Sequence, residues 1–402
     1  MFNGANTGFM LLAASLVMLM TPGLAFFYGG LVGRSNTLTI MIQSFASMGI
    51  TTVMWWLVGY SLCFSGGNDG IFGNFHLAFL RHVGVNTIYK PAGIPLVTLI
   101  AYQMMFAIIT PALITGAFTN RVTFKAYLVF LVVWQLFVYY PFVHMLWGNG
   151  VLAQWGARDF AGGIVVHASA GFAALASVIY VGKRRFVDTP HNIPFIALGT
   201  GLLWFGWYGF NAGSELKVDH ITALAFLNTD LAASFAAVTW LFVEWWYAKK
   251  PHFVGLLTGA VAGLATITPA AGYVPIYASV VIGIAAGGVC YGAIQLKNRM
   301  HWDDALDVWG VHGVGGLLGI VLLGLFAGRA INASGGAGLV HGAWSFFGKQ
   351  VAAGVGCSAY AFVFTYAMLR AINLFTPVRV GEEAEAGLDA AMHGESAYEL
   401  GV

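Results

Sequence analysis

Two histidines inside apolar stretches are the residues of this 402-residue chain best suited to carry out chemistry. His167 ends the run Gly163-Ile-Val-Val-His167, and His312 lies in Trp309-Gly-Val-His312-Gly-Val-Gly-Gly316. A neutral imidazole has one N–H donor and one bare nitrogen, so two facing rings can share one hydrogen. Such a pair can also accept a hydrogen bond from a small donor or relay a proton. We predict that His167 and His312 line a path through the protein.

Three other interpretations of these histidines compete with a path-lining pair. A histidine with apolar neighbours often only packs in the interior. A metal site needs more ligands, but no third His, Cys or carboxylate stands at ligand spacing, and Cys63, Cys290 and Cys357 lie far apart in apolar stretches. An enzyme using the pair as acid and base would lack a nucleophile at the same depth. We therefore expect neither enzyme activity nor a metal or other cofactor.

The composition predicts an all-α polytopic membrane protein. Hydrophobic residues make up 59% of the chain and charged residues 8%, with a mean hydropathy of +0.78. Soluble domains are about 25% charged. The net charge of +2, on thinly spread basic residues, argues against a nucleic-acid partner, whereas membrane lipid is an expected one. Because a spanning helix needs about 20 apolar residues, the nearly charge-free stretches predict eleven spans, at about 8–32, 38–64, 94–118, 126–147, 162–182, 194–213, 221–246, 252–269, 275–296, 307–328 and 345–375.

The order of the motifs predicts an inverted repeat of two five-helix units, followed by a long eleventh helix. The first and sixth spans end in the similar runs Phe26-Phe-Tyr-Gly-Gly30 and Phe210-Asn-Ala-Gly-Ser214, and the fifth and tenth each hold one histidine. Such folds place the substrate path between the repeats. Glycines beside both histidines predict a close helix contact there. Most basic residues fall in the loops of one side, which predicts an outside N-terminus and a cytoplasmic C-terminus.

Aromatic residues near the outer ends of the spans could bind a cation and, deeper in the path, block its passage. The face of Trp147 and the oxygen of Ser214 can bind a small dehydrated cation, with an attraction of about 0.5–2 kcal/mol from the ring. Phe106 and Phe210 lie deeper and could close a dry constriction, and Trp207 belongs to the same group of aromatic residues.

Three acidic residues need an explanation at the ends of spans or inside them. Asp159 precedes the fifth span at the position that caps its first turn, and its charge can also stabilise a nearby cation through space. We expect this cap with indirect electrostatics rather than direct ligation. Asp307 is predicted to open the tenth span in the same way. Asp230, inside the seventh span, receives no role.

These residues lie in motifs by which the chain resembles the ammonium transporter family (Amt/Mep, and distantly Rh). The resemblance runs from end to end, although Tyr102 stands where the family often has Phe and Gly148-Asn149-Gly150 replaces three glycines. The matching stretches are 21–30, 144–148, 159–167, 204–214, 303–316, 387–389 and 393–398.

The resemblance implies a homotrimer of eleven-helix subunits, each with its own pore. It makes Trp147, Ser214 and Phe106 an external recruitment site with Asp159 behind it, and Phe106 and Phe210 a gate. It implies that the twin histidines and Trp207 line the pore below.

The function implied is ammonium or ammonia transport across the cell (inner or plasma) membrane, for nitrogen uptake. The alternative is an ammonium sensor, or transceptor, of the same fold with little or no flux.

The acidic end of the chain is predicted to be a separate functional unit. We divide the chain into a transmembrane domain, 1–376, and a cytoplasmic regulatory tail, 377–402. A solvated acidic end is the simpler interpretation. The resemblance implies that the tail packs under the pore bundle and that the same face receives a PII-type signalling protein. The predicted partners of the acids at 382–385 are Lys183, Arg184, Arg185, Lys249 and Lys250.

Overall fold

Long apolar helices make up most of the protein. The computed structural model describes residues 1–67, 69–187 and 189–398. Within those ranges, ten helices are long and apolar enough to cross a membrane, and one shorter apolar helix joins them, which confirms the predicted eleven. They are α1 (Gly4–Leu31), α2 (Arg34–Phe64), α3 (Leu96–Phe118), α4 (Phe124–Trp155), α5 (Gly163–Val181), α6 (Ile193–Ala212), α7 (His220–Ala248), α8 (Phe253–Ile267), α9 (Ile276–Arg299), α10 (Trp309–Phe326) and α11 (Trp344–Ile372).

Two irregular regions lie at the ends of these helices. α4 is interrupted after Leu146, and Val151–Trp155 forms a separate short helix. The loop between α2 and α3 contains a small antiparallel ribbon of β1 (Ile88–Tyr89) and β2 (Ile94–Pro95).

The shortest of the eleven helices, α8, is completed by a buried turn. Fifteen residues of helix rise about 22 Å, less than the roughly 30 Å of a hydrocarbon core. The helix ends at Ile267, two residues before the end of the predicted span 252–269, and residues 268–274 are all buried. The carbonyl groups of this turn still find donors: the Phe160 N–H bonds Pro269, and the Asn228 amide bonds Ala271 and Val274. A non-helical segment is therefore tolerated at depth, because protein groups satisfy its backbone.

Glycine contacts bring α5 and α10 unusually close together, as the sequence predicts. A methyl group on Gly171 would overlap the backbone of Gly313. A methyl group on Gly316 would lie 2.8 Å from the Ala168 nitrogen. Each of the two helices begins with a π-helical turn, Gly163–Ala168 in α5 and Trp309–Val314 in α10. Each π-helical turn carries one of the two histidines, so the close contact holds the histidines at the junction of the two repeats.

The tail is attached to the helical bundle by backbone pairing and by a helix cap. Backbone hydrogen bonds join Thr123 to Val378 and Val380 to Arg121, each 2.9 Å long. The α-helical part of α2 begins at Thr37, after a 3-10 turn over Arg34–Asn36, and the buried Asp389 carboxylate accepts the N–H groups of Leu38 and Thr39 at 2.9 and 2.8 Å. An acidic side chain at a helix N-terminus both satisfies unpaired donors and complements the helix dipole. The described part of the tail is therefore ordered against the loops and not simply solvated.

The ion pairs of the tail differ in part from the predicted ones. Glu382 does pair with Arg185, and the carboxylate of Glu385 binds the Arg185 N–H at 2.6 Å and the Arg379 guanidinium at 3.1 Å. Arg184, by contrast, pairs with Asp303 at 2.7 Å. Its guanidinium is occupied by a carboxylate near the start of α10, so it contributes nothing to the acids of the tail. Glu399 and the rest of residues 399–402, which belong to the predicted tail, lie outside the described residues.

The contact between Gly171 and Gly313 gives a test of the packing. We expect Gly171→Ala to lower the stability of the purified protein by about 1–3 kcal/mol, because the added methyl group forces α5 and α10 apart. The matched control is Gly292→Ala in α9, where an added methyl group meets no atom within 4 Å. Thermal unfolding of both variants in detergent measures the difference. Equal melting temperatures would contradict the glycine contact.

Candidate functional site

The two histidines face each other through their Nδ1 atoms. The Nδ1 of His312 lies 3.2 Å from the Nδ1 of His167, and the ring planes are 15° from parallel. Both side chains are buried, and within the described structure the Nε2 of His167 has no partner. In a neutral pair, one Nδ1–H must donate to the other, bare Nδ1. The donor ring then has a bare Nε2 and the acceptor ring an Nε2–H, so the pair offers one acceptor and one donor.

A narrow, mostly apolar cavity, which we call the lumen, lies beside this pair. Trp207 packs against His167 with ring centroids 5.4 Å apart, and its indole N–H donates to Thr268 at 2.9 Å. Because this bond occupies the indole N–H, which is the only polar group of the Trp207 side chain, Trp207 presents an apolar ring face to the cavity. The lumen is lined by Met20, Leu24, Phe27, Ile109, Leu113, Val166, His167, Leu203, Trp207, Phe210, Val261 and His312. Among these residues only the two imidazoles carry a free polar function.

The lumen has two ends, which we call the Trp147 end and the Asp307 end. At the Asp307 end, a wider cavity is lined by Tyr28, Arg184, Asp307 and several apolar residues. His312 lines both this cavity and the lumen. It therefore forms the border between the narrow apolar segment and a more polar mouth.

At the Trp147 end, two phenylalanine rings close the lumen. Phe106 and Phe210 are almost fully buried, and their ring centroids lie 4.2 Å apart. Trp147 is partly exposed and meets Phe106 edge to face at 5.8 Å, while Ser214 is partly exposed close by on the turn after α6. The residues predicted for recruitment and gating thus come together, with the phenylalanines between Trp147 and the histidines.

Asp159 is fully occupied as the cap of α5, which confirms the capping prediction. One carboxylate oxygen accepts the N–H groups of Gly162 and Gly163 at 2.8 and 2.7 Å, and the other accepts those of Ile164 and Val165 at 2.7 and 3.1 Å. Two bonds per oxygen exhaust the lone pairs of a carboxylate. Asp159 can therefore act on a cation only through space. Its backbone carbonyl also orients Trp147, by accepting the indole N–H at 2.9 Å.

The cap of α10 is Asp304, so the prediction for Asp307 is wrong. Asp304 accepts the N–H of Trp309 at 2.7 Å. Asp307 has a left-handed backbone with φ of 59°, which turns its carboxylate away to bind Lys297 at 2.6 Å. A signal for Asp304 was present in the sequence, because Asp159 and Asp304 each stand eight residues before a histidine.

The two capping aspartates are not equivalent. One oxygen of the buried Asp304 has no partner among the described residues, whereas both oxygens of Asp159 are saturated. Burial raises the pKa of Asp304 to about 6. Asp230, whose role the sequence does not indicate, accepts hydrogen bonds from Tyr208 at 2.6 Å and Trp204 at 3.2 Å. It therefore ties α7 to α6 at membrane depth.

The difference between the two caps predicts a difference in stability. Asp159→Asn replaces one acceptor oxygen by an NH2 group that faces backbone donors, so we expect a loss of about 1–3 kcal/mol for each unsatisfied group. Asp304→Asn can keep its one bonded oxygen and place the NH2 group at the unpartnered position, so the loss should be smaller. Thermal unfolding of the two purified variants compares them. A larger loss for Asp304→Asn would contradict this comparison.

Sequence and structure comparisons identify the relatives of the chain. The model of the Ammonium Transporter Family matches residues 8–398. An ammonium transporter of Bacillus subtilis is 45% identical over 98% of both chains, and ammonium transporter Amt1 of Archaeoglobus fulgidus is 41% identical over 98% of this chain and 99% of that protein. The crystal structure of Candida albicans Mep2 superposes with a TM-score of 0.89 at 35% identity, covering 99% of this chain and 94% of that one. A structure described as a sensor Amt protein has a TM-score of 0.88 at 28% identity, covering 97% of this chain and 98% of that one. Together with the eleven apolar helices and the lumen between the repeats, these matches show that the chain is a multi-pass membrane protein of the ammonium transporter family.

Proposed function

We propose that the lumen conducts ammonia derived from ammonium, with the Trp147 end as entrance. The observation that carries the proposal is the pair of facing imidazoles at the border of an apolar lumen closed by two phenylalanines. Ammonium is desolvated at Trp147 and Ser214 and, near the phenylalanines, gives up its proton to water at the partly exposed Trp147 end. Ammonia then crosses beside His167 and His312.

Entry begins with weak binding at Trp147 and Ser214. The indole ring attracts a cation by about 0.5–2 kcal/mol, and the Ser214 oxygen accepts one N–H. Asp159 adds a through-space attraction, because its own oxygens are saturated. Phe106 and Phe210 must then part or rotate, since their 4.2 Å ring separation leaves no room between them.

Selection against potassium follows from the apolar lining of the lumen. Potassium and ammonium have similar size and the same charge, so the radius alone does not separate them. A charged ion in the lumen would lose its hydration with almost no compensation. Ammonium can escape this cost by giving up a proton. The ammonia that remains can donate to the bare nitrogen of the pair and accept from its N–H.

The same geometry fits a sensor if ammonium binds but does not cross. A sensor Amt protein shares the fold at a TM-score of 0.88, which keeps this alternative open. The two functions differ in flux, because a sensor needs only the sites at the Trp147 end and a conformational output. A transporter needs the complete lumen as far as the Asp307 end.

The decisive experiment measures flux through the purified protein in liposomes. We expect saturable uptake of methylammonium and an ammonium response that potassium does not reproduce. His167→Ala combined with His312→Ala should reduce uptake at least about tenfold, since the lumen loses its only free polar groups. The matched control replaces His76 and His82, which stack on each other in the loop between α2 and α3. Binding without flux in the unaltered protein would favour the sensor, and neither binding nor flux would refute the proposal.

We place the Trp147 end outside the cell membrane and the C-terminus in the cytoplasm. The concentration of basic residues in the loops of the tail side supports this orientation. Membership of the ammonium transporter family supports assembly as a homotrimer within the lipid bilayer. It also supports a PII-type signalling protein as a partner at the cytoplasmic face, next to the tail.

We assign residues 1–376 to transport and residues 377–402 to its regulation. The contact of Asp389 with the start of α2 supports a regulatory role for the tail, because its two hydrogen bonds connect the tail to a helix of the first repeat. Glu385 makes a second connection, to the loop after α5.

Loss of the Asp389 contact tests the regulatory assignment. We expect Asp389→Ala to lower methylammonium uptake several-fold without preventing folding or assembly, because it removes the cap of α2 and leaves the lumen intact. Truncation after residue 378 should have a similar effect. Glu395→Ala is the control, since this side chain is exposed in the same segment. Full uptake by both the Asp389 variant and the truncated protein would leave the tail without a regulatory role.

A further inference from the structure

The hydroxyl group of Tyr102 connects α3 to the end of α6. Tyr102 is completely buried, and its ring packs on Phe106 at 5.0 Å. Its hydroxyl oxygen lies 3.0 Å from the carbonyl oxygen of Gly209, 2.9 Å from that of Phe210 and 3.3 Å from the Oγ of Ser214. One buried hydroxyl thus touches the turn that carries both a closing phenylalanine and the serine of the entrance.

The end of α6 gains a further donor from this hydroxyl. α6 ends at Ala212, where the Gly209 carbonyl accepts the Gly213 N–H and the Phe210 carbonyl accepts the Ser214 hydroxyl. Each carbonyl oxygen has a second lone pair that can accept another hydrogen. The Tyr102 hydroxyl supplies a hydrogen to this group of carbonyls from a neighbouring helix. A methyl group on Gly213 would lie only 2.7 Å from that hydroxyl, so the glycine provides the space for it. The final turn of α6 is therefore fixed to α3 at this point.

The distances around this hydroxyl favour one orientation of Ser214. The Tyr102 hydrogen can go to either carbonyl or to the Ser214 oxygen, and the two carbonyls are nearer, at 3.0 and 2.9 Å against 3.3 Å. The Ser214 hydroxyl then has two acceptors on its inner side, the Phe210 carbonyl at 2.9 Å and the phenol oxygen. With its hydrogen held inward, Ser214 presents lone pairs to the entrance. Ammonium has four N–H donors and no lone pair, so it requires such an acceptor.

We infer that Tyr102 is a positioning residue for cation binding, which acts through Ser214. The inference rests on the proposed function, since it concerns the affinity of the same entrance. Removal of the hydroxyl would leave Ser214 with the Phe210 carbonyl as its one inner acceptor and would loosen the last turn of α6. Ser214 could then turn its hydrogen toward the entrance and repel the donors of ammonium. The lumen and its histidines would be unchanged, so binding would weaken while the maximal flux would not.

The test compares Tyr102→Phe with Ser214→Ala and with the double variant, in methylammonium uptake by proteoliposomes. We expect Tyr102→Phe to raise the half-saturation concentration about three- to tenfold, as for one lost hydrogen bond, with a maximal rate within about twofold of the unaltered protein. Adding Tyr102→Phe to Ser214→Ala should give no further increase. The matched control is Tyr127→Phe, which removes another fully buried hydroxyl, one that donates to Gln43 at 2.7 Å.

Each of three results would overturn the inference. They are an unchanged half-saturation concentration in Tyr102→Phe, an equal increase in Tyr127→Phe, and additive effects of Tyr102→Phe and Ser214→Ala. Absence of saturable flux in the unaltered protein would instead count against the proposed transport. In that case calorimetric titration with ammonium chloride gives the dissociation constants of the same variants. The same three comparisons, made on the dissociation constants, then test the role of Tyr102.

Discussion

The site depends on the hydrogen bond between two imidazoles that have almost no access to water. A buried polar group is costly unless it finds a partner, and His167 and His312 find each other because α5 and α10 meet at glycines. Any side chain at Gly171 would separate the helices and with them the Nδ1 atoms, which are 3.2 Å apart. The helix contact, the neutral state of the pair and the apolar lumen are therefore parts of one arrangement.

The inverted repeat places an aspartate cap eight residues before each histidine, but it does not make the two ends alike. At the Trp147 end, Asp159 uses every lone pair to hold the first turn of α5. At the Asp307 end, Asp304 keeps one buried oxygen without a partner among the described residues, next to the ion pair of Lys297 and Asp307. The entrance is thus held by a saturated backbone cap, whereas the opposite end depends on a network of charges. The two repeats therefore form two chemically different ends of the lumen.

Much of this organisation could be predicted from the sequence, because the hydrocarbon core sets helix length and excludes charge. The eleven helices and the glycine contact follow from apolar length and from small residues. The spacing of eight residues before a histidine points to Asp304 as the cap, but the turn of the Asp307 carboxylate toward Lys297 could not be predicted, since it depends on the sign of one backbone angle. The partners of Asp230 and of the Tyr102 hydroxyl are equally hidden, because they lie on helices whose mutual rotation the sequence does not specify. The ion pair of Arg184 with Asp303 is hidden for a different reason, because both residues lie in loops whose paths the sequence does not specify.

The saturation of Asp159 has a consequence for the chemistry proposed at the entrance. A carboxylate in direct contact with ammonium would raise the pKa of the cation and oppose its deprotonation. Such a contact would also hold the cation tightly and slow its passage. Because four N–H groups occupy Asp159, the proposed entrance offers a cation a ring face and the Ser214 oxygen, which are neutral groups. These groups compensate only part of the lost hydration, so the charged form gains little by moving deeper. Loss of the proton is then the route by which the nitrogen can enter the lumen.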